Sequence, residues 1–197
     1  MKKIFTVIFG ILCLFIFQVN VNALQPANNI NLNPKPVLAK TQGLKVYIPP
    51  KDALSTTMKH AFMDWQKHTN GNFTFEFVGT KSTANIEVIF LESGLGNICR
   101  DGNALGCAKF SSATTKYGNK RILGAKIYIS MVDNFGNKMT PNQLYTVMLH
   151  EIGHTLGLQH SNDRNSLMFA GTNSQMAEGQ EIREDDIKTL YKLYGIK

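Results

Sequence analysis

The stretch that decides the fold runs from residue 150 to residue 160 and reads His150-Glu151-Ile152-Gly153-His154-Thr155-Leu156-Gly157-Leu158-Gln159-His160. On a helix, residues four apart share a face, so His150 and His154 point the same way. Two imidazoles in that arrangement can hold one zinc ion. Gly157 can adopt a backbone angle that residues with a Cβ resist, so the helix can end there. The chain can then turn back and bring His160 in as a third ligand.

Three histidines at this spacing predict a catalytic zinc site rather than a structural one. Three protein ligands leave the fourth tetrahedral position open for water. Glu151 lies beside the first ligand, where it can take a proton from a zinc-bound water and return it to a leaving amine. A structural zinc site does not require an acid at this position. The sequence therefore favours one catalytic Zn²⁺ with Glu151 as the general base of a hydrolase, over a zinc-containing binding protein without turnover.

Local signals upstream independently predict that these residues lie on a helix. Thr140 can serve as the N-cap, Pro141 suits the first helical position, and Gln143 completes a capping box. The apolar side of this helix is formed by Leu144, Val147, Met148 and Ile152. Agreement between the capping signals and the zinc motif strengthens the prediction of a helix here.

The stretch from residue 150 to residue 160 resembles the zinc motif of the metzincin metallopeptidases, and Ser161 follows it as is usual in their matrixin branch, the matrix metalloprotease catalytic domains. Downstream, Ser166-Leu167-Met168-Phe169 is similar to the Met-turn of that family. The resemblance implies that Met168 forms an apolar floor beneath the ligands without coordinating zinc. The alternative is that Met168 is a core filler, as most methionines are. Asp185 and Asp186 resemble paired aspartates that brace the Met-turn, or else they complement the dipole of a last helix.

The same resemblance implies an α+β fold of metzincin type. Such a fold has a mixed, mostly parallel five-stranded sheet with an antiparallel edge strand, two long helices, and a small C-terminal subdomain with one helix. Alternating apolar residues predict strands at 44–48, 73–77, 86–90 and 125–131. Helical spacing of apolar residues predicts helices at about 52–70, 140–156 and 181–194. The polar segment 111–123 is predicted to be a surface loop.

A candidate substrate-binding strand precedes that loop. The segment from Gly102 to Ala108 resembles the matrixin edge strand that forms the upper rim of the cleft, and an exposed strand edge can pair with an extended peptide. The residues expected to line the substrate are Ala104, Leu105, Gly106, Cys107 and Ala108. An ordinary loop is the alternative interpretation of this segment.

Cysteine usage predicts one disulfide in the mature chain. Removal of a leader containing Cys13 would leave Cys99 and Cys107, an even number in an exported protein. Closing so short a loop stabilises a protein by about 2–3 kcal/mol in the chain-entropy model. Two free thiols, or a redox-labile pair near the cleft, are the alternatives.

Residues 1–23 are similar to a secretory signal peptide. Lys2 and Lys3 precede an apolar run, and Val21-Asn22-Ala23 is suited to cleavage. An uncleaved membrane anchor is the alternative, although the apolar run is a little short for a full span. The predicted organisation is a signal peptide at 1–23, a flexible lead-in or short pro-segment at 24–43, and a metallopeptidase catalytic domain at 44–197. These boundaries predict a secreted or periplasmic protein with no stable membrane association once the leader is removed.

The charge of the chain and its remaining histidines limit which further partners and metal ions are expected. The chain carries 21 Lys and Arg against 14 Asp and Glu, but it has no long basic run, so nucleic-acid binding has little support. We expect a monomeric zinc endopeptidase that acts on an extended protein or peptide substrate. A narrow-specificity peptidase of another metzincin branch is the alternative within the enzyme class. Matrixins usually hold a structural zinc through further histidines and calcium through acid-rich loops. This chain offers only His60 and His68, with Asp101 and Asp133 isolated, so neither structural zinc nor calcium is expected.

Overall fold

A mixed sheet packs against two long helices. The computed structural model describes residues 37–99, 103–114, 120–170 and 180–197. The helices are α1 (Asp52–His68), α2 (Pro141–Thr155) and α3 (Glu184–Tyr194). The strands are β1 (Val37–Leu38), β2 (Leu44–Tyr47), β3 (Phe75–Phe77), β4 (Ile86–Leu91), β5 (Gly106–Thr114) and β6 (Lys120–Ser130). The predicted α+β class and the three predicted helices are confirmed.

The sheet is parallel except at one edge. Its order is β1-β6-β4-β2-β3, and β5 pairs with β6 in the only antiparallel pairing among the described strands. The predicted mostly parallel sheet with an antiparallel edge strand is therefore confirmed. A sixth, two-residue strand joins the five that were predicted, because Val37 and Leu38 pair with Arg121 and Ile122 of β6. Strand β1 therefore lies within the segment 24–43 that was predicted to be a lead-in.

The β5–β6 hairpin is longer than the sequence predicts. Within the segment 111–123, predicted to be a surface loop, residues 111–114 form the second half of β5 and residues 120–123 form the start of β6. That prediction was wrong because Ser111–Thr114 is exposed throughout and has no large apolar side chain. Backbone hydrogen bonds to the neighbouring strand can hold such a segment in a sheet. Its sequence then lacks the alternation of apolar residues from which a strand is predicted.

A buried contact between α1 and α2 fixes the helix that carries the zinc motif. Trp65 of α1 is fully buried, and its indole Nε1–H donates to the Leu149 carbonyl oxygen at 2.9 Å. Buried tryptophans usually find such a partner for the indole N–H. The bond anchors α2 one residue before His150.

The N-terminus of α2 is capped as predicted. The Thr140 side chain accepts from the Gln143 backbone N–H at 3.2 Å, and the Gln143 side chain accepts from the Thr140 N–H at 2.9 Å. This reciprocal pair is the predicted capping box, with Pro141 in the first turn. Local hydrogen bonds therefore fix the residue at which the helix begins. They also help to fix the face of the helix on which its histidines lie.

Several predictions fall outside the described residues. These include the signal peptide at 1–23, most of the lead-in at 24–43, and Asp101. None of the described helices combines the length and apolarity needed to cross a membrane.

Candidate metal centre

Three histidines converge at the end of α2. The candidate ligand atoms of His150, His154 and His160 all lie within 4.8 Å of one another. The helix ends after Thr155, and the chain reverses at Gly157, which has φ of 105°, the left-handed region that favours glycine. The turn predicted from the sequence brings His160 back to the two helical histidines.

Backbone carbonyls set the tautomer of both helical histidines. Nδ1 of His150 lies 2.8 Å from the Leu167 carbonyl oxygen, and Nδ1 of His154 lies 2.9 Å from that of Leu158. A carbonyl oxygen can only accept, so each Nδ1 carries the proton and each Nε2 presents its lone pair. Such carbonyl partners commonly orient metal-binding histidines.

Burial keeps these two imidazoles neutral, which is the form that binds a metal. Desolvation lowers the pKa of His150 to about 3 and that of His154 to about 4. Neutral imidazole nitrogens at this spacing suit Zn²⁺, and three protein ligands are the number found in catalytic sites. The residues present therefore fit one zinc ion.

Glu151 is a buried carboxylate beside the first histidine. Its side chain accepts a hydrogen bond from the Ala108 backbone N–H, and Oε2 has no hydrogen-bond partner among the described residues. Burial raises the pKa of Glu151 to about 8, and the Ala108 N–H opposes that rise. An unpaired oxygen in a buried site is costly in a structural role, and a perturbed acid next to metal ligands is typical of catalysis.

The predicted substrate strand packs directly on this carboxylate. A Cβ placed on Gly106 would lie 2.6 Å from Cγ of Glu151 and 2.8 Å from its Oε1, so the strand can approach this closely only without a side chain there. Of the five residues expected to line the substrate, Gly106, Cys107 and Ala108 lie in β5. Ala104 and Leu105 lie in the bend before it.

The disulfide prediction is confirmed by a bond between Cys99 and Cys107, whose Cα atoms are 6.2 Å apart. Cys107 lies between Gly106, which contacts Glu151, and Ala108, which donates to it. The bond therefore ties the segment before β5 to the part of the strand that touches the carboxylate.

Met168 packs against α2 at Gly153, between the two helical histidines in the sequence. Its side chain is almost fully buried, and a Cβ placed on Gly153 would lie only 2.5 Å from its sulfur. Gly153 sits between the two helical histidines on α2, so the Met168 sulfur packs against the backbone that carries them. The Met168 carbonyl also accepts from the Ser161 N–H at 2.7 Å, which closes the turn after the third histidine.

One aspartate of α3 braces this turn. Asp186 is buried and accepts from the Ser166 hydroxyl at 2.7 Å, while the same hydroxyl oxygen accepts from the Met168 N–H at 3.0 Å. Asp185, by contrast, is exposed and lies 3.6 Å from the Lys188 ammonium. The bracing interpretation therefore applies to Asp186, and the helix-dipole interpretation applies to Asp185.

Sequence reasoning missed two elements of this site. The contact of Gly106 with Glu151 has no local signal, because it joins elements 45 positions apart. The carbonyls of Leu158 and Leu167 that orient the histidines are also invisible in a sequence, because every residue carries one.

Comparison of the sequence with known proteins gives one family match and several similar proteins. A family model described as Matrixin matches residues 43–195. The chain is 28% identical over 163 residues to metalloendoproteinase 1 of Glycine max, which covers 80% of this chain and 52% of that protein. It is 27% identical over 158 residues to metalloendoproteinase 1-MMP of Arabidopsis thaliana, which covers 80% of this chain and 42% of that protein. A shorter match, 38% identical over 60 residues, joins 30% of this chain to 22% of human matrilysin. The chain thus spans about half or less of the length of these curated relatives.

Proposed function

Because this chain belongs to the matrixin family, we propose that it is a zinc-dependent endopeptidase. His150, His154 and His160 would hold the ion, and Zn²⁺ there would supply the Lewis acidity that activates water and polarises a peptide carbonyl. The observation that carries the proposal is Glu151, a buried carboxylate with an unpaired oxygen next to the ligands.

Glu151 acts as the general base in this proposal. The Ala108 N–H holds the carboxylate in place, while Oε2 remains available to accept the proton of the attacking water. The protonated side chain then gives that proton to the nitrogen of the departing amine. Burial raises the pKa of Glu151, which makes its carboxylate a stronger base toward the attacking water.

The substrate in this proposal is an extended polypeptide that pairs along β5. On one side β5 pairs with β6, and it has no second strand neighbour among the described residues. An open strand edge offers the backbone groups that an added peptide strand needs. Because Gly106 and Ala108 both touch Glu151, a peptide on this edge has its backbone next to the general base.

The deciding experiment replaces Glu151→Gln, which keeps the shape of the side chain and removes the base. We expect the variant to retain zinc, measured by elemental analysis, while cleavage of a peptide library falls by about 10²- to 10⁴-fold. Glu76→Gln, at an exposed site on β3, is the matched control and should cleave like the wild type. A chelator should stop wild-type cleavage, and added zinc should restore it.

Zinc binding without cleavage of any peptide would overturn this function and favour a secreted binding protein without turnover. We also propose that the protein is exported and that residues 1–23 are removed. Mass spectrometry of the mature N-terminus tests this second proposal, and a mature chain that still begins at Met1 would contradict it.

A further inference from the structure

An open cavity of about 400 Å³ lies on the sheet face that points away from the core. Strand alternation defines this face, because Ile86 and Val88 of β4 are buried while Glu87 between them points outward. We call this space the outer cavity. Its charged and aromatic lining consists of Lys81, Glu87, Lys109, Phe110, Lys126 and Tyr128.

Positive charge is in excess around the outer cavity. Glu87 is mostly buried and already has two cations, with Lys81 at 2.5 Å and Lys126 at 3.5 Å. Lys109 lies directly opposite Lys126 across the β5–β6 pairing, and like charges in that relation destabilise a sheet. The Lys109 ammonium lies 5.8 Å from the centre of the Tyr128 ring, so the lining holds three cations and one carboxylate. A local arrangement that costs stability is expected where it serves a function.

Two apolar residues complete the lining of the outer cavity. Phe110 is 44% exposed and Leu123 is 54% exposed, and both line the cavity. They are two of the four large hydrophobic side chains that are exposed among the described residues. An excess of positive charge beside exposed apolar surface suits a ligand that is anionic and carries an apolar part.

Strand β5 connects the outer cavity to the metal centre. A Cβ on Gly106 would point at Glu151 on one face of the strand, and the side chain of Lys109, three residues further on, projects from the other face into the cavity lining. A peptide paired with the open edge of β5 would place alternate side chains on this outer face. A directly opposed side chain would then lie about 5 Å from Lys109, measured between Cβ atoms.

We propose that the outer cavity is a charge-selective subsite that takes an acidic side chain of an extended peptide substrate, within a few residues of the cleaved bond. The proposal rests on the proposed endopeptidase function and names the class of substrate that the enzyme prefers. A peptide is favoured over a free anionic polymer because the cavity borders the strand edge that is open for pairing and has apolar residues in its lining.

Matched peptides test this subsite. Each pair differs only by Glu or Gln at one position within four residues of the cleavage site. We expect one position where Glu raises kcat/KM by roughly 3- to 5-fold, as for an exposed ion pair, and where salt at about 0.5 M removes the preference. Lys109→Gln should bring the Glu/Gln ratio to about one, and Lys109→Glu should invert it. Lys67→Gln, at an exposed site on α1, is the control and should leave the ratio unchanged.

A binding measurement distinguishes a failure of the proposed subsite from a failure of the proposed peptidase activity. Zinc-loaded protein carrying Glu151→Gln is titrated with the labelled Glu and Gln peptides and followed by fluorescence anisotropy. A Lys109-dependent preference for Glu without wild-type cleavage would overturn the peptidase function and keep the subsite. Equal binding and equal cleavage of both peptides would overturn the subsite. Lys109-dependent binding of polyphosphate without any peptide preference would assign the cavity to anionic polymers and also overturn it.

Discussion

Gly106 and Glu151 approach each other so closely that a Cβ on the glycine would lie 2.6 Å from the Cγ of the glutamate. The neighbouring Ala108 N–H also donates to the same carboxylate. The edge strand proposed to bind the substrate therefore also fixes the group proposed to act as the base. Displacing β5 would disturb substrate pairing and proton transfer together.

Gly106→Ala should impair catalysis more than folding. Its Cβ must push away either the Glu151 side chain or the Val147 methyl group that lies 2.8 Å from it. A misplacement of about 1 Å can cost roughly 100-fold in rate, so we expect kcat to fall by about 10- to 100-fold with zinc content unchanged. Steady-state kinetics and elemental analysis provide the two measurements.

Gly124→Ala is the matched control for that substitution. Its Cβ would lie 2.8 Å from the Asn85 carbonyl oxygen, an equally tight contact that does not involve Glu151. We expect it to lower the unfolding temperature while leaving kcat close to the wild-type value. Equal kcat losses in both variants would show that the Gly106 effect is general strain in the sheet.

The buried Glu151 should make the zinc-free protein less stable as the pH rises. Its folded-state pKa is about 8 against an ordinary value of 4.5, so the folded state keeps a proton that the unfolded state loses between these pH values. The stabilising contribution is full below pH 4.5 and is lost as the pH rises to about 8. Glu151→Gln cannot titrate, so its unfolding free energy should fall less between pH 5 and pH 8.

Urea unfolding in the presence of a chelator measures this difference. We expect the loss of unfolding free energy over the window to be larger in the wild type by a few kcal/mol, roughly the size implied by the pKa difference. The comparison cancels every other titrating group that the two proteins share. Parallel pH dependences of the two proteins would show that Glu151 is solvated in the zinc-free state.

The metal centre was predictable because its signals are local. The Thr140 capping box places α2, and helical spacing alone puts His150 and His154 on one face. Gly157 was identified as the turning point for the same reason, since only its own backbone angle matters. Signals of this kind lie within one helical turn and need no knowledge of the remaining fold.

The parts that escaped prediction depend on contacts between distant segments. The extension of β5 through Ser111–Thr114 is held by hydrogen bonds to β6, which its polar composition does not reveal. The different roles of Asp185 and Asp186 follow from the side of α3 that faces Ser166. The sequence identified the pair, but only the packing of α3 against the turn at Ser166 separates a buried brace from an exposed charge.

Asp186→Asn should weaken zinc binding without removing it. The substitution changes an acceptor that receives both the Ser166 hydroxyl at 2.7 Å and the Arg183 N–H at 3.0 Å, so one of these bonds must be lost or reversed. The Ser166 turn contains Leu167, whose carbonyl orients His150. Loss of such outer partners typically reduces metal affinity by about 10- to 100-fold, and competition with a chromophoric chelator measures it.

Asp185→Asn provides the control for the Asp186 substitution. Asp185 is exposed, and its carboxylate lies 3.6 Å from Lys188, so its replacement should leave zinc affinity unchanged within error. A loss of affinity in the Asp185 variant equal to that in the Asp186 variant would mean that the charge of α3, rather than its bond to Ser166, supports the metal centre.

The Cys99–Cys107 bond should stabilise the fold and hold the strand that contacts Glu151. The double variant Cys99→Ser with Cys107→Ser should lower the unfolding free energy by about 2–3 kcal/mol, because the unfolded chain regains the freedom of a short loop. Urea unfolding with and without a reductant measures this effect. Reduced wild type should match the double variant, and the reductant should not change the variant. Equal stability of oxidised and reduced wild type would show that β5 is held by its pairing with β6 and its packing on α2 alone.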